Sequence, residues 1–329
     1  MHTLRAVVVG AGAIASLHLR TLAASERTEL VGVADIAGER ARLAAEAYAI
    51  RPYTDYKAMV RAEKPDIVVI TLPHVLHKDA AIWCAEQGCH VLLEKPMAMN
   101  ARECADINAA AARCGIVLAV GHMQHYFAEN VKAKQLIQSG KLGRLVTIID
   151  RRYGYYYDEK RPAWFLDKAA SGGGIVINIG SHSIDKIQWL TDCQITSVKA
   201  ELTHYGERGN VEGSASLLMR TSHGATASVS LFGYRGVPPA NETELLFTDG
   251  ALKIVARKGL WISGANGYEL VDTGAMGEPF APQWDDLLNA IGHGSELSIT
   301  GTYAQTVSAV VDAAYRSHET GRAEEVAVI

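Results

Sequence analysis

Continuous apolar runs alternate with helical periodicity over the first third of the chain. Leu4–Gly10 is one such run and reads as a strand buried on both faces. Ile14–Ala24 then reads as a helix, Leu30–Ala34 as a second strand and Gly38–Tyr48 as a helix rich in Ala, Arg and Glu. A third strand is predicted over Asp66–Thr71, a third helix over Val75–Gln87 and a fourth strand over His90–Leu93. Asn100 with Glu103 forms a capping-box pattern, so a helix starts there. It ends at Gly115, and Ile116–Gly121 is a fifth strand. Strands separated by helices imply parallel pairing through right-handed crossovers.

The pattern changes after about residue 123. One helix, Ala128–Gln138, precedes Leu145–Tyr153, whose alternation has a period of two. An aromatic, polar loop and three glycines lead into a helix predicted over Ile175–Leu190. Strands joined by short turns follow: Ile195–His204, Gly213–Arg220, Ala225–Phe232, Thr243–Phe247, Ala251–Val255 and Leu260–Ile262. Ser222–Gly224 and Asp249–Gly250 are hairpin signals. Helices are expected over Pro282–Gly292 and Tyr303–Glu319. The expected architecture is thus an α/β Rossmann domain over residues 1–123. An α+β domain with an open, mostly antiparallel sheet is expected over 124–329.

Composition narrows the function classes. A length of 329 residues suits two domains, and 48% apolar residues suffice for their cores. The net charge of −4 is spread along the chain, with no basic face or tail for nucleic acid and no polybasic run for a membrane surface. The longest apolar runs are strand-sized, and the N-terminal segment reads as a buried strand, not a signal peptide. The five cysteines, Cys84, Cys89, Cys104, Cys114 and Cys193, have no CxxC spacing. They are read as reduced thiols, so a cytoplasmic location is expected.

The first candidate chemistry is Gly10-Ala11-Gly12-Ala13-Ile14-Ala15. Gly10 permits a tight turn, Gly12 lets a pyrophosphate approach the backbone, and Ala15 lets the helix lie close to the strand. The N–H groups at the start of that helix, from Ala13 and Ile14 on, face the phosphates. Asp35 follows the second strand, where an acid holds the adenosine ribose and repels a 2′-phosphate. It can equally be a helix N-cap. NAD is therefore expected over NADP, although Arg40 and Arg42 lie further along.

Glu94-Lys95-Pro96 ends the fourth strand, on the side where ligands of open α/β sheets lie. Lys95 reads either as a functional cation or as a solvated strand-end lysine, and the turn admits a cis Lys95–Pro96 bond. Further on, Gly172–Gly174 opens a segment in which Asn178, His182 and Asp185 would share one helix face. His182 is either a catalyst or a satisfied core histidine. His122-Met-Gln-His125 has a metal-like spacing but no third ligand nearby, so His122 is expected to line a substrate pocket and no metal is expected.

Together, GAGAIA, the prolyl segment Leu72–His77, Glu94-Lys95-Pro96 and GGGxxxNxGxHxxD resemble the glucose–fructose oxidoreductase / inositol dehydrogenase family (Gfo/Idh/MocA) over essentially the whole chain. The resemblance implies that Lys95 and His182 act at the substrate, with Asn178 beside them. It places His77 near the dinucleotide, with Thr71, Pro73, Glu94 and Lys95 on the cofactor side. Asn178 departs from the usual Asp of that motif and cannot carry negative charge.

The implied reaction is hydride transfer between NAD and a secondary alcohol of a sugar, cyclitol or related polyol. His182 would be the general base and Lys95 would stabilise the alkoxide. Tyr153, Tyr155, Tyr156, Tyr157 and Trp164 are expected to contact the substrate ring, unless the segment serves aromatic packing or an oligomer contact, and Arg151 and Arg152 to meet any anionic group. The same scaffold also serves NAD-dependent glycoside hydrolases and admits a non-enzymatic NAD sensor. A homodimer or homotetramer built through the antiparallel sheet is the expected assembly.

Overall fold

The computed structural model describes residues 3–275 and 277–327. Two compact units emerge: residues 1–123 with 279–304, and residues 124–278 with 305–329. The return of 279–304 to the first unit differs from a single cut after residue 123.

The first unit runs β1 (Leu4–Val9), α1 (Ala13–Ala24), β2 (Thr28–Ala34), α2 (Gly38–Tyr48), β3 (Arg51–Tyr53), α3 (Tyr56–Glu63) and β4 (Ile67–Ile70). It continues with α4 (His77–Glu86), β5 (His90–Leu93), α5 (Ala101–Cys114) and β6 (Leu118–Val120). All six strands are parallel, in the order β3-β2-β1-β4-β5-β6. This is the doubly wound arrangement, with its switch point between β1 and β4. Ala6–Val9, Ile67–Ile70 and Val91–Leu93 are all buried, as strands covered on both faces must be. Asn100 caps α5 by accepting from Glu103 N at 2.9 Å. The Glu103 carboxylate reaches back to Met99 N at 3.2 Å, one residue beyond the usual capping box. The periodicity did not reveal β3 and α3, because Arg-Pro-Tyr is a three-residue edge strand without an apolar run.

The second unit begins with α6 (Ala128–Gln138), β7 (Leu145–Tyr153), α7 (Lys168–Ser171) and α8 (Ser181–Thr191). Its later strands are β8 (Ile195–Thr203), β9 (Ser214–Thr221), β10 (Thr226–Phe232), β11 (Ala240–Phe247), β12 (Ala251–Val255), β13 (Gly259–Gly264) and β14 (Gly267–Val271). Then come α9 (Phe280–His293), which packs with the first unit, α10 (Gly301–Thr320) and the two-residue β15 (Glu324–Glu325). Trp284 explains the placement of α9. The indole is buried and donates to Thr28 Oγ1 at 2.9 Å, while Asn289 accepts from Arg27 at 2.9 Å.

Nine strands form the second sheet, in the order β14-β13-β12-β11-β7-β10-β9-β8-β15. It is mostly antiparallel, with one parallel pair, β7 with β10. One face packs against α8 and α10. Arg152 bonds Ser183, Lys186 bonds Thr243, and Ala200 N donates to Ser317 Oγ. The opposite face leaves Val146, Ile149 and Leu218 exposed. Among the described residues no helix is long and apolar enough to cross a membrane, and all five cysteines are free thiols, four of them buried.

Candidate active site

In the first unit the site is built at the carboxyl ends of β1, β2, β4 and β5. Gly10 turns the chain at φ +98°, and a Cβ there would lie 2.7 Å from Thr71 Oγ1 and 2.8 Å from Thr71 O. Only glycine fits such a turn. Thr71 Oγ1 spans the switch point by donating to Val9 O at 3.0 Å and Gly10 O at 3.2 Å. A Cβ at Gly12, by contrast, would meet nothing within 4 Å. The N-terminus of α1 has no side-chain cap and no acidic residue in its first turn. Open space beside uncapped N–H groups at Ala13 and Ile14 is what a bound pyrophosphate requires.

Asp35 is buried at the end of β2. Oδ2 accepts from Ala11 N at 2.9 Å; Oδ1 accepts from Ala37 N at 2.8 Å and from Arg40 Nη2 at 2.8 Å. Burial opposes ionisation, but Arg40 and the two backbone N–H groups outweigh it and hold the carboxyl below its ordinary range. Asp35 is not the N-cap of α2: that position is Ala37, whose backbone N–H donates to Asp35 two residues upstream. Asp35 also braces the glycine turn, which the sequence did not reveal.

Lys95 is half-buried after β5, and the Lys95–Pro96 bond is cis. Glu94 is buried beside it and accepts from His18 Nε2 at 2.8 Å and from Lys95 N at 3.2 Å. Burial would raise the Glu94 pKa, yet His18 and Lys95 carry it below the ordinary value. A Cβ on Gly121 would lie 3.0 Å from Glu94 Oε1, so β6 closes over this carboxylate. His77 is fully enclosed, with Nδ1 2.9 Å from Pro96 O and Nε2 2.8 Å from Leu72 O. It ties the Leu72–Pro73 loop to the Lys95–Pro96 turn and has no exposed atom of its own to offer a dinucleotide, which corrects its placement as a direct contact. His122 is buried edge-on against Tyr303, with ring centroids 5.7 Å apart.

In the second unit Asn178 lies in a π-helical turn, Val176–Gly180, that runs into α8. Glu212 anchors the start of this turn by accepting from Gly174 N at 2.8 Å and Val176 N at 3.0 Å. A Cβ on Gly174 would come within 2.2 Å of Glu212 O, so the close approach requires glycine. Within Ser181–Gln188, His182 alone is not buried. Asp185 does not join it at the surface; the side chain is fully enclosed and meets His125 Nε2 at 2.8 Å. Asp185 therefore leaves the expected shared face of Asn178, His182 and Asp185. The π turn shifts the spacing by a residue, and a regular helical projection cannot register that.

Below α8 lies a charged cluster that the sequence reading missed. Asp150 accepts from Ser183 Oγ at 2.5 Å and Thr243 Oγ1 at 2.6 Å, with Arg152 Nε at 3.4 Å and Lys186 Nζ at 3.9 Å. Arg152 Nη2 donates to Gln124 Oε1 at 2.9 Å, and Gln124 Nε2 donates to His182 O at 2.6 Å. The signal was available: alternation in β7 puts Asp150 and Arg152 on the same inward face as Ile148.

The same alternation corrects two expectations. Tyr153 falls on the outer face, where its hydroxyl donates to Ser230 Oγ at 3.3 Å, so it faces away from α8. Arg151 pairs with Glu242 at 2.7 Å, and Arg152 is committed to the buried cluster, so neither is available to an anion. Tyr155 lies against Arg235, and Trp164 stacks on Phe165 at 3.7 Å. The tyrosine that meets Asn178 is Tyr156, whose hydroxyl accepts from Asn178 Nδ2 at 3.4 Å. Among the described residues no three His, Cys, Asp or Glu side chains group as metal ligands.

The model of the GFO/IDH/MocA oxidoreductase family's NAD-binding Rossmann fold matches residues 4–122, and that of its C-terminal domain matches residues 130–253. The chain is 32% identical over 232 residues to 1-carboxy-3-chloro-3,4-dihydroxycyclohexa-1,5-diene dehydrogenase of Comamonas testosteroni, covering 70% of this chain and 58% of that relative. It is 31% identical over 256 residues to the rhizopine catabolism protein MocA of Rhizobium meliloti, covering 76% of this chain and 78% of the relative. Among solved structures, levoglucosan dehydrogenase in complex with NADH and L-sorbose has a TM-score of 0.92 at 23% identity, covering both chains in full.

Proposed function

This chain belongs to the GFO/IDH/MocA oxidoreductase family, and from that membership we propose that it transfers a hydride between NAD and a secondary alcohol of a sugar, cyclitol or related polyol. The observation that carries this reading is His182. It is the one half-buried residue in the buried run Ser181–Gln188, and the Gln124 bond to its own carbonyl fixes its backbone.

NAD, when bound, accepts or supplies the hydride at its nicotinamide. The residues at the first unit's sheet end fit that group. Gly10, Gly12, Ala13 and Ile14 would hold the pyrophosphate, Asp35 would hold the ribose hydroxyls, and Thr71, Pro73 and Glu94 would line the cofactor site. His77 would brace that site through its bonds to Leu72 O and Pro96 O. His182 takes the hydroxyl proton of the alcohol, since imidazole titrates near neutrality. Lys95 stabilises the alkoxide as it forms. Asn178 orients the substrate as donor or acceptor, with Tyr156 beside it. Within the second unit, Tyr155 and Trp164 are proposed as further substrate contacts.

Homodimers or homotetramers are proposed through the outer sheet face, where Val146, Ile149 and Leu218 lie exposed. Five free thiols suit a reducing, cytoplasmic compartment. The direct experiment is a panel of sugars, cyclitols and nucleotide sugars, following NADH formation with NADP in parallel. Net NADH with free polyols supports the dehydrogenase. Release of an aglycone without net NADH would move the assignment to a glycoside hydrolase. NAD binding with no turnover at all would leave a sensor.

A further inference from the structure

Arg161 is a cation without an ion-paired partner among the described residues. Its guanidinium carbon lies 4.2 Å from the centroid of the Tyr156 ring and 5.3 Å from that of Phe165. Its Nε is enclosed and makes no hydrogen bond, and among the described residues no ion pair engages the guanidinium. The aromatic faces offset part of the lost hydration, but the enclosed Nε without an acceptor remains costly. Burial accordingly pulls the Arg161 pKa below the usual arginine range.

Of the neighbouring acids, Asp158 reaches Arg161 through its charge, without an ion pair among the described residues, and Glu212 is engaged by other donors. Asp158 is exposed, and its Oδ1 accepts from Lys160 N at 2.8 Å. Glu212, whose charge reaches Tyr156, is enclosed and accepts from Gly174 N, Val176 N and the Tyr315 hydroxyl. Tyr156 in turn links Arg161 to Asn178 through the 3.4 Å bond to its hydroxyl. An aspartate at 178 would set a carboxylate one phenol ring away from Arg161. This chain has an amide there, and two departures coincide: an arginine without an ion pair among the described residues and an acid replaced by its neutral isostere.

We propose that the substrate carries a carboxylate, which Arg161 binds against the faces of Tyr156 and Phe165 beside Asn178. A guanidinium fork matches a carboxylate in two parallel hydrogen bonds, and such a charge-assisted contact strengthens when desolvated. Asn178 in place of an aspartate removes the like charge that would repel the incoming acid. The substrate class is then a hydroxy acid of the sugar or cyclitol type. This rests on the reading that the surface around Asn178 and His182 receives the substrate. A phosphate would offer Arg161 the same charge, so the test must separate the two.

The test is calorimetric titration of the NAD-loaded chain with hexuronates and aldonates, their neutral aldose counterparts, and hexose 6-phosphates. The expected result is that at least one acid binds about tenfold to a hundredfold more tightly than its neutral counterpart. Arg161→Gln should abolish that preference, and Arg161→Lys should restore it only in part. Asn178→Asp, with an unchanged melting temperature, should weaken the acids and spare the neutral sugars. Equal binding of every acid and its neutral partner would overturn the inference, as would a preference that survives Arg161→Gln. An Arg161-dependent preference for the phosphates over the acids would overturn it in favour of a phosphorylated substrate. Binding is read apart from turnover. Arg161-dependent acid binding without NADH formation would retain the site and remove the dehydrogenase reading; NADH from neutral polyols with no acid preference would do the reverse.

Discussion

Gln124 Nε2 donates to the backbone carbonyl of His182 at 2.6 Å, and its Oε1 accepts from buried Arg152 at 2.9 Å. The proposed base is thus located from behind, through its main chain, by a side chain that never reaches the surface. Gln124→Ala removes the donor and leaves Arg152 short of an acceptor. The expected outcome is a fall in kcat of about tenfold, with KM for NAD unchanged, and a loss of about 1–3 kcal/mol in stability. Steady-state kinetics and a urea melt check this. Unchanged kcat would show that the bond does not position His182.

His18 and Glu94 make a second such relationship, at 2.8 Å. The Glu94 pKa is depressed in the folded state, so its contribution to stability is present above the unfolded carboxylate range and is lost as pH falls through the folded value. His18→Ala removes the side chain that hydrogen-bonds this buried carboxylate. The acid limb of the stability curve should then begin at a higher pH than in wild type. Urea midpoints between about pH 3 and 7 would record the displacement, a range that brackets the ordinary glutamate pKa of about 4.3. An acid limb that does not move would remove the pair from the account.

Asp35 is held by Ala11 N, Ala37 N and Arg40, and it is the residue proposed to hold the adenosine ribose. Asp35→Ser should weaken NAD binding by about tenfold to a hundredfold, as expected for lost bonds to a charged group. It should also narrow the gap to NADP, because Arg40 is freed and the repelling charge is gone. Fluorescence titration with both reduced cofactors reads the two effects together. An unchanged NADH-to-NADPH ratio would contradict this role.

Lys186 is enclosed beneath α8, and burial, with the nearby Arg152 charge, depresses its pKa to about 8. Its unfolded value is about 10.4, so between these values the unfolded chain binds more protons than the native one. Stability should therefore rise with pH across that window relative to Lys186→Met, in which the rise should be absent. Guanidinium melts at stepped pH provide the comparison. Parallel pH profiles for the two proteins would count against a depressed lysine.

The legible parts of the fold were those with strong periodicity. β1, β4 and β5 are unbroken apolar runs, and α5 carries its own cap, so the Rossmann unit followed directly. Elements set by tertiary contact did not show. β3 is a short edge strand containing a proline, β14 is an exposed edge, and β15 is two residues long. The return of α9 to the first unit depends on where Trp284 finds Thr28, which no local pattern encodes. At the candidate site, Lys95 and His182 could be picked out because their flanking motifs are distinctive. Tyr153 was misplaced although period-two alternation already put it on the same face as Ile149. Arg161 was passed over because nothing in sequence distinguishes an arginine without an ion pair among the described residues from its paired neighbours Arg151 and Arg152.

The central claim is that Lys95 and His182 serve hydride transfer to NAD. The most direct measurement is the rate of NADH formation from the best substrate of the panel by wild type, Lys95→Met and His182→Ala, each shown by titration to bind NAD. The account predicts net NADH with wild type and a fall of about a hundredfold or more in each variant. Near-normal turnover in both variants would contradict it.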